Sequence, residues 1–311
     1  LLGAPLIDVP IEVVRTQVEA VENGVESGFS DAVLARPNEF AAGQIPARRD
    51  NPILFVHGIN SDASTWRETT RFLESLGWIN GGEVLTNSFN PAGDFFTISF
   101  ADKLANYQTS ICGTRCGILH QADELRGFIA ALRNRGVLRP LSIVGHSMGG
   151  LAARSYMETY TSEAAVRVFE LLTYGSPHRG INLRAIRDAL NNFGNLACAI
   201  CGVAIAFLSP IANSRGAADM DANCGGAPSS FLQGLRPGNL PAKRYTAIIG
   251  HNHELSSLLP ERSDGCLAGP DGVTHTDGLV PTASADLSQT IPFPVRVIPT
   301  GTFHFDGVGS S

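Results

Sequence analysis

The chain has 311 residues, 43% of them hydrophobic, enough to bury a large core in one α/β domain with insertions or in two smaller domains. Its net charge of −6, its 17% content of charged residues and the lack of any basic run exclude a nucleic-acid-binding surface. No stretch reaches the ~20 apolar residues that a membrane-spanning helix needs. The six cysteines are even in number and lack the paired spacing of a zinc site, so disulfides and an oxidising compartment are expected. Cys112 and Cys116 form the expected local pair, while Cys198, Cys201, Cys224 and Cys266 leave three pairings open. The first residue is Leu1 rather than Met, as in a processed secreted protein or a chain cut at a boundary.

In chain order, residues 1–50 read as an N-terminal extension packed on a main domain spanning 51–311. A short helix is expected over 11–21, with no chemistry nearby. Ile53 to Val56 is a continuous apolar run, the pattern of a strand buried on both faces of a parallel sheet. Ser61, Asp62 and Ser64 then offer caps for a helix from about Thr65 to Leu76, closed by Gly77. Asp94 to Phe100 is a second strand candidate, and Leu119 to Arg135 a helix with Leu125, Phe128, Ile129 and Leu132 on one stripe.

Leu141 to Val144 is a strand that stops at Gly145-His146-Ser147-Met148-Gly149, a G-x-S-x-G pattern followed by a helical segment. This order delivers a nucleophilic Ser147 to a sharp turn, with the N–H groups of the next helix facing the reacting carbonyl. Further strands are expected at Arg167 to Tyr174, Arg244 to Gly250 and Pro294 to Pro299, which gives βαβ units and a mostly parallel sheet with helices on both faces.

Between 181 and 241 the alternation breaks. Leu196 to Leu208 is apolar all round, either a buried helix held by Cys198 and Cys201 or a lid whose Leu196, Ile200, Ile205 and Phe207 contact substrate.

A serine needs a base within reach, and in open parallel sheets that base follows a strand end. His304 follows the last strand, and Asp277 stands in the loop after the preceding one, giving a Ser…Asp…His order. Asp264, Asp271 and Asp286 compete for the acid role; Asp277 leads because the apolar run in Asp277-Gly-Leu-Val-Pro281 would anchor it. The oxyanion donors are expected to be the N–H groups of Met148 and Ile59. His57 and His146 read as supports for the oxyanion loop and the turn. His178 reads as a support farther out, His120 as a helix-start residue, and His251 and His253 as solvated loop residues.

His57-Gly58-Ile59, Gly145 to Gly150, Thr173 to Gly180, Asp277 to Val280 and His304-Phe305-Asp306 together resemble secreted bacterial triacylglycerol lipases of the α/β-hydrolase superfamily. The resemblance covers about 51–180 and 244–306. It implies an α/β-hydrolase fold with a lid or cap insertion at 181–241, a Ser147–Asp277–His304 triad and an Ile59–Met148 oxyanion hole. It also implies a lipid or other ester substrate, transient contact with a lipid interface, a secreted monomer, no nucleic-acid partner and no cofactor needed for the chemistry. A structural calcium near the catalytic histidine occurs in some of these lipases, and Asp306 would be one ligand, with Asp264 a guess for a second. The 1–50 extension and the cysteine-bearing insertion depart from the pattern. The alternatives are a short-chain esterase or polyester depolymerase, an acyl transferase, and a non-catalytic binding member of the fold.

Overall fold

The computed structural model describes residues 51–100, 117–181, 214–222, 228–241, 243–250, 276–300 and 304. Among the expectations outside these residues are the 1–50 extension, all six cysteines, and the apolar segment carrying Leu196, Ile200, Ile205 and Phe207.

Seven parallel strands form one sheet. They are β1 (Ile53–Val56), β2 (Asn80–Glu83), β3 (Phe95–Thr97), β4 (Leu141–His146), β5 (Val168–Tyr174), β6 (Arg244–Gly250) and β7 (Arg296–Thr300), in the spatial order β2-β3-β1-β4-β5-β6-β7. β1 pairs with β4 from Ile53–Ser142 to Val56–Gly145, so the ends of both strands arrive side by side. The chain leaves β1 toward one edge of the sheet and leaves β4 toward the other. The topological switch point of the sheet therefore falls between their carboxyl ends, the place where open α/β sheets bind ligands.

The pleat divides the core into two layers. Leu54 and Val56 point to the face covered by α2 (Ile118–Asn134) and α3 (Met148–Thr159), with Ile143, Leu125, Leu151 and Tyr156. Ile53 and Phe55 point to the other face, where Trp66 and Leu73 of the α1 region (Arg67–Ser75) meet Phe95, Val144 and Ile248. Both faces of β1 are fully buried, which is why its sequence is a run rather than an alternation.

Several boundaries differ from the sequence reading. The first helix begins with a 3₁₀ turn, Ala63–Trp66, capped by the Asp62 carboxylate accepting from Ser64 N–H at 2.9 Å. β3 is shorter than 94–100, and β7 lies two residues later at its start than expected. β2 was not expected at all, because Asn80-Gly-Gly-Glu83 carries no apolar run. It needs glycine there: a Cβ at Gly81 would collide with the Phe96 ring. A short helix α4 (Thr161–Arg167) completes the connection into β5.

Two described pieces of the 181–241 region pack on this body. The short helix α5 (Arg215–Asp219) is fastened by the buried Asp219 carboxylate, which accepts from Ile118 N–H at the start of α2 at 3.0 Å. Beyond α6 (Ser230–Gly234), Arg236 N–H donates to the Glu158 carboxylate on α3, whose other oxygen is held by buried Arg154 at 2.7 Å. α7 (Thr282–Ala285) precedes β7.

Candidate active site

Ser147 links β4 to α3 with φ +54° and ψ −129°, a left-handed backbone that costs on the order of 1–3 kcal/mol for a non-glycine residue. Crowding holds it there. A Cβ on Gly145 would sit 2.6 Å from Gly150 Cα, one on Gly149 would press into the backbone of Val56 and His57, and one on Gly150 would run into Ser176. The small residues of the motif thus let strand, turn and helix interlock with the end of β1. Ser147 N–H donates to Tyr174 O at 2.9 Å, and the side chain makes no capping bond to its own helix. Met148 opens α3, so its N–H is among the unpaired donors at the helix start.

The loop after β1 lies against this turn. A Cβ on Gly58 would come within 2.9 Å of Ser147 Cβ, so only glycine lets the backbone approach. Ile59 follows, then Asn60 in the left-handed conformation at φ +55°. Gly216 of α5 meets both oxyanion candidates at once: its Cβ would lie 2.8 Å from Met148 Sδ and 3.4 Å from Ile59 Cδ1.

Asp277 sits in a turn wrapped around its own carboxylate. Oδ1 accepts from Leu279 N–H at 3.0 Å and Val280 N–H at 2.7 Å, while Gly278 takes φ +94°. Leu279 and Val280 are buried and anchor the turn. Oδ2 is left to face His304, whose Nδ1 lies 2.7 Å away. A main-chain bond from His304 N–H to Asp277 O, also 2.7 Å, fixes the pair a second time. Both side chains are buried, at 3% and 1% residual exposure, so their bond is poorly screened by water. Of the acids that competed with Asp277, Asp286 caps a 3₁₀ turn through Ser288, and Asp264 and Asp271 lie outside the described residues.

Two further residues tie the serine turn to this pair. Gly175, just past β5, has φ +52°, and a Cβ there would stand 2.8 Å from Asp277 Oδ2 and 2.9 Å from His304 Nδ1. His146 Nε2 lies 3.1 Å from the carbonyl of His304 and must donate to it; its ring packs 4.7 Å from the His304 ring. The sequence reading assigned Gly175 no role. Its signal in the sequence is the glycine at the end of the strand next to the one that leads into Ser147.

His57 accepts from Phe100 N–H at Nε2 (3.0 Å) and reaches Gly58 O through Nδ1 (2.8 Å). His178 is buried behind β5, with Nε2 3.2 Å from Thr173 Oγ1. His120 lies 3.2 Å from Glu124 on α2. His251 and His253 lie outside the described residues, as does Asp306. Among the described residues no three His, Cys, Asp or Glu side chains cluster as a metal site.

Burial pushes the His146 imidazole well below its ordinary pKa of 6.5, and the neighbouring His304 lowers it further. Burial followed by the charge of Arg154 does the same to His178. Below pH 6.5 the unfolded chain therefore binds more protons at these rings than the folded one. The stability they contribute is complete above pH 6.5 and is lost as the pH falls toward the depressed values. Tm is expected to fall on acidification through this window, and His178→Gln, which keeps a polar atom near Thr173, to flatten the slope. An unchanged slope in that variant would refute the assignment.

A parallel sheet with helices on both faces, and a serine turn between β4 and α3 beside the end of β1, define the α/β-hydrolase fold. Residues 48–198 match the family model of the PGAP1-like alpha/beta domain. No curated protein matches the chain. Among solved structures, the mature lipase BlEst2 of Bacillus licheniformis is similar at 18% identity and a TM-score of 0.48, over 84% of this chain and 86% of that one. The product of gene lin2722 from Listeria innocua is similar at 15% identity and TM-score 0.48, over 81% and 85%. Phospholipase PlaB from Legionella pneumophila is similar at 16% identity and TM-score 0.43, over 76% and 45%. Among the described residues no helix is long and apolar enough to cross a membrane.

Proposed function

We propose that this chain is a carboxylic-ester hydrolase, foremost a triacylglycerol lipase, that works through an acyl-enzyme on Ser147. One observation carries the reading. The strained serine turn lies against the β1 loop, while the buried Asp277–His304 pair is held beside it through Gly175 and His146.

In this reading the Asp277 carboxylate keeps the His304 proton on Nδ1, which leaves the Nε2 lone pair for the Ser147 hydroxyl. His304 takes that proton as Ser147 Oγ bonds to the ester carbon, and the carbonyl electrons move onto oxygen. The N–H groups of Met148 and Ile59 receive the oxyanion. When the tetrahedral intermediate collapses, the alkoxide leaves with the proton from His304. Water, deprotonated by the same ring, then releases the acid and frees Ser147.

The apolar residues Leu196, Ile200, Ile205 and Phe207 would supply the acyl wall, within a 181–241 lid on a domain that begins near residue 51. A secreted enzyme suits the six cysteines, and Asp306 stays a calcium candidate of this proposal alone. A short-chain esterase or polyester depolymerase would use the same chemistry in an open cleft.

The test is a fluorophosphonate probe followed by mapping of the modified residue, then a chain-length profile on soluble esters and emulsions. Labelling confined to Ser147 is expected, with turnover that rises once long-chain substrate forms an emulsion. An unlabelled, inactive protein would instead be a binding member of the fold. Smooth saturation on short esters alone would move the assignment to an esterase.

A further inference from the structure

We infer that the amino edge of the sheet, at Arg133, Leu138, Arg139 and Val166, is a docking face for an anionic phospholipid bilayer, separate from the active site. Leu138 and Val166 are each 69% exposed, the most exposed large hydrophobic side chains among the described residues. One precedes β4 and the other β5, and Leu141 pairs with Val168 where those strands begin. Arg167 fastens the two approaches together, its guanidinium donating to Val137 O at 2.9 Å and to Leu138 O at 2.8 Å. The apolar tips thus stand on a braced backbone.

Around them the charge is positive, although the whole chain carries −6. Residues 125–140 hold four arginines and no carboxylate. Arg135 is engaged, with its guanidinium over the Phe89 ring at 3.9 Å. Arg133 and Arg139 are exposed and form no ion pair or hydrogen bond among the described residues. A groove of about 610 Å³ opens beside them between α2 and α4, with Arg126, Arg133 and Arg167 in its wall. Both of its carboxylates are already occupied. Glu163 accepts from Arg126 Nε at 2.8 Å and from the Tyr156 hydroxyl at 3.2 Å, and Asp123 accepts from the Tyr160 hydroxyl at 2.6 Å. Farther along the edge, Glu170 is buried and stands opposite Arg244 in the register. Burial lowers the pKa of Arg167, and the charge of Arg133 lowers it further. Two like charges so placed attract an anion from outside.

A bilayer with anionic headgroups answers both halves of this pattern. Its phosphates meet the unpaired arginines, and its interfacial region takes in Leu138 and Val166. A dissolved anion would answer the charge alone and leave the apolar tips in water. A second copy of this chain, joined by a two-fold axis, would set arginine against arginine. Ser147 follows the opposite end of β4, about 20 Å from Leu141 at ~3.3 Å per residue. Docking here turns the active site away from the bilayer, which distinguishes this face from lipid contact through a lid at 181–241.

Co-sedimentation of the full chain with vesicles of phosphatidylcholine, with and without phosphatidylglycerol, tests the inference. Wild type is expected to sediment with the anionic vesicles, to stay in solution with the neutral ones and to be released by salt. The double variant Arg133→Glu/Arg139→Glu should lower the partition coefficient by at least about 25-fold, because one arginine near an anionic surface is worth about fivefold. Leu138→Ser/Val166→Ser should weaken binding while leaving its salt dependence in place. Both variants should keep the wild-type Tm and the wild-type kcat on a soluble ester, since the altered side chains are exposed and lie at the edge opposite Ser147.

Wild type that stays in solution with anionic vesicles, or sediments equally with neutral ones, would overturn the inference. Undiminished sedimentation of the arginine variant would do the same. If light scattering shows a wild-type dimer that the arginine variant splits into monomers, the face joins copies of the chain and the inference falls. Vesicle binding is read without ester turnover, so a protein that binds yet hydrolyses nothing would overturn the hydrolase reading alone.

Discussion

Ser147→Ala is expected to abolish ester turnover, lowering kcat by about 10⁶-fold, the scale on which removal of a serine nucleophile acts. The substitution is a clean one. Ser147 Oγ does not cap α3, and the backbone that sets the turn is held by the Tyr174 carbonyl and by the packing of Gly145, Gly149 and Gly150. Tm should therefore stay close to that of the wild type while the fluorophosphonate adduct disappears. Steady-state kinetics on a soluble ester, with the thermal transition measured on the same sample, checks both. Undiminished turnover in a folded variant would remove Ser147 from the chemistry.

Asp277→Asn should cost about 10⁴-fold in kcat, although it changes only one atom. The turn around Asp277 dictates how the amide must sit. Two main-chain N–H groups, from Leu279 and Val280, already point at the Oδ1 position, so the amide oxygen has to go there. The NH₂ group then occupies the Oδ2 position, 2.7 Å from His304 Nδ1. A donor facing Nδ1 makes that nitrogen an acceptor and moves the ring proton to Nε2, the atom that must accept from Ser147. Binding should persist, with KM little altered, because asparagine keeps the shape of the aspartate side chain. A variant within tenfold of wild type would show that another acid orients the base.

The sheet was largely legible because its strands are buried on both faces. Ile53 to Val56 and Arg244 to Gly250 read as strands with the bounds they have in the structure. β2 escaped because an edge strand of Asn, Gly, Gly and Glu shows no hydrophobic pattern; its existence depends on the Phe96 ring lying over Gly81. The short helix α5 escaped for a related reason. It is held less by its own periodicity than by one carboxylate on an amide 101 residues away.

The candidate site shows the same division. Asp277 stood out from its rivals through the apolar residues after it, because the turn that presents the carboxylate is local. His146 reads as a support of the turn from the sequence, but that its partner is the His304 carbonyl, and that Gly175 lies against the Asp277–His304 pair, depends on which strand ends are neighbours. The His57 tautomer is likewise decided by the Phe100 amide, which only the parallel pairing of β1 and β3 brings near. Chemistry written in contiguous residues survives in a sequence; chemistry written in who neighbours whom does not.

The unusual backbone angle of Ser147 carries one more implication. The five residues around it do not choose that angle: glycine neighbours leave an isolated chain free to relax, and the bend persists only where the ends of β1, β4 and β5 crowd it. In the proposed mechanism, reactivity is therefore a collective property of the finished sheet. A nascent or partly unfolded chain carries the same serine with the chemical character of any alcohol. The appearance of a reactive Ser147 during refolding should mark the moment at which those strand ends close together.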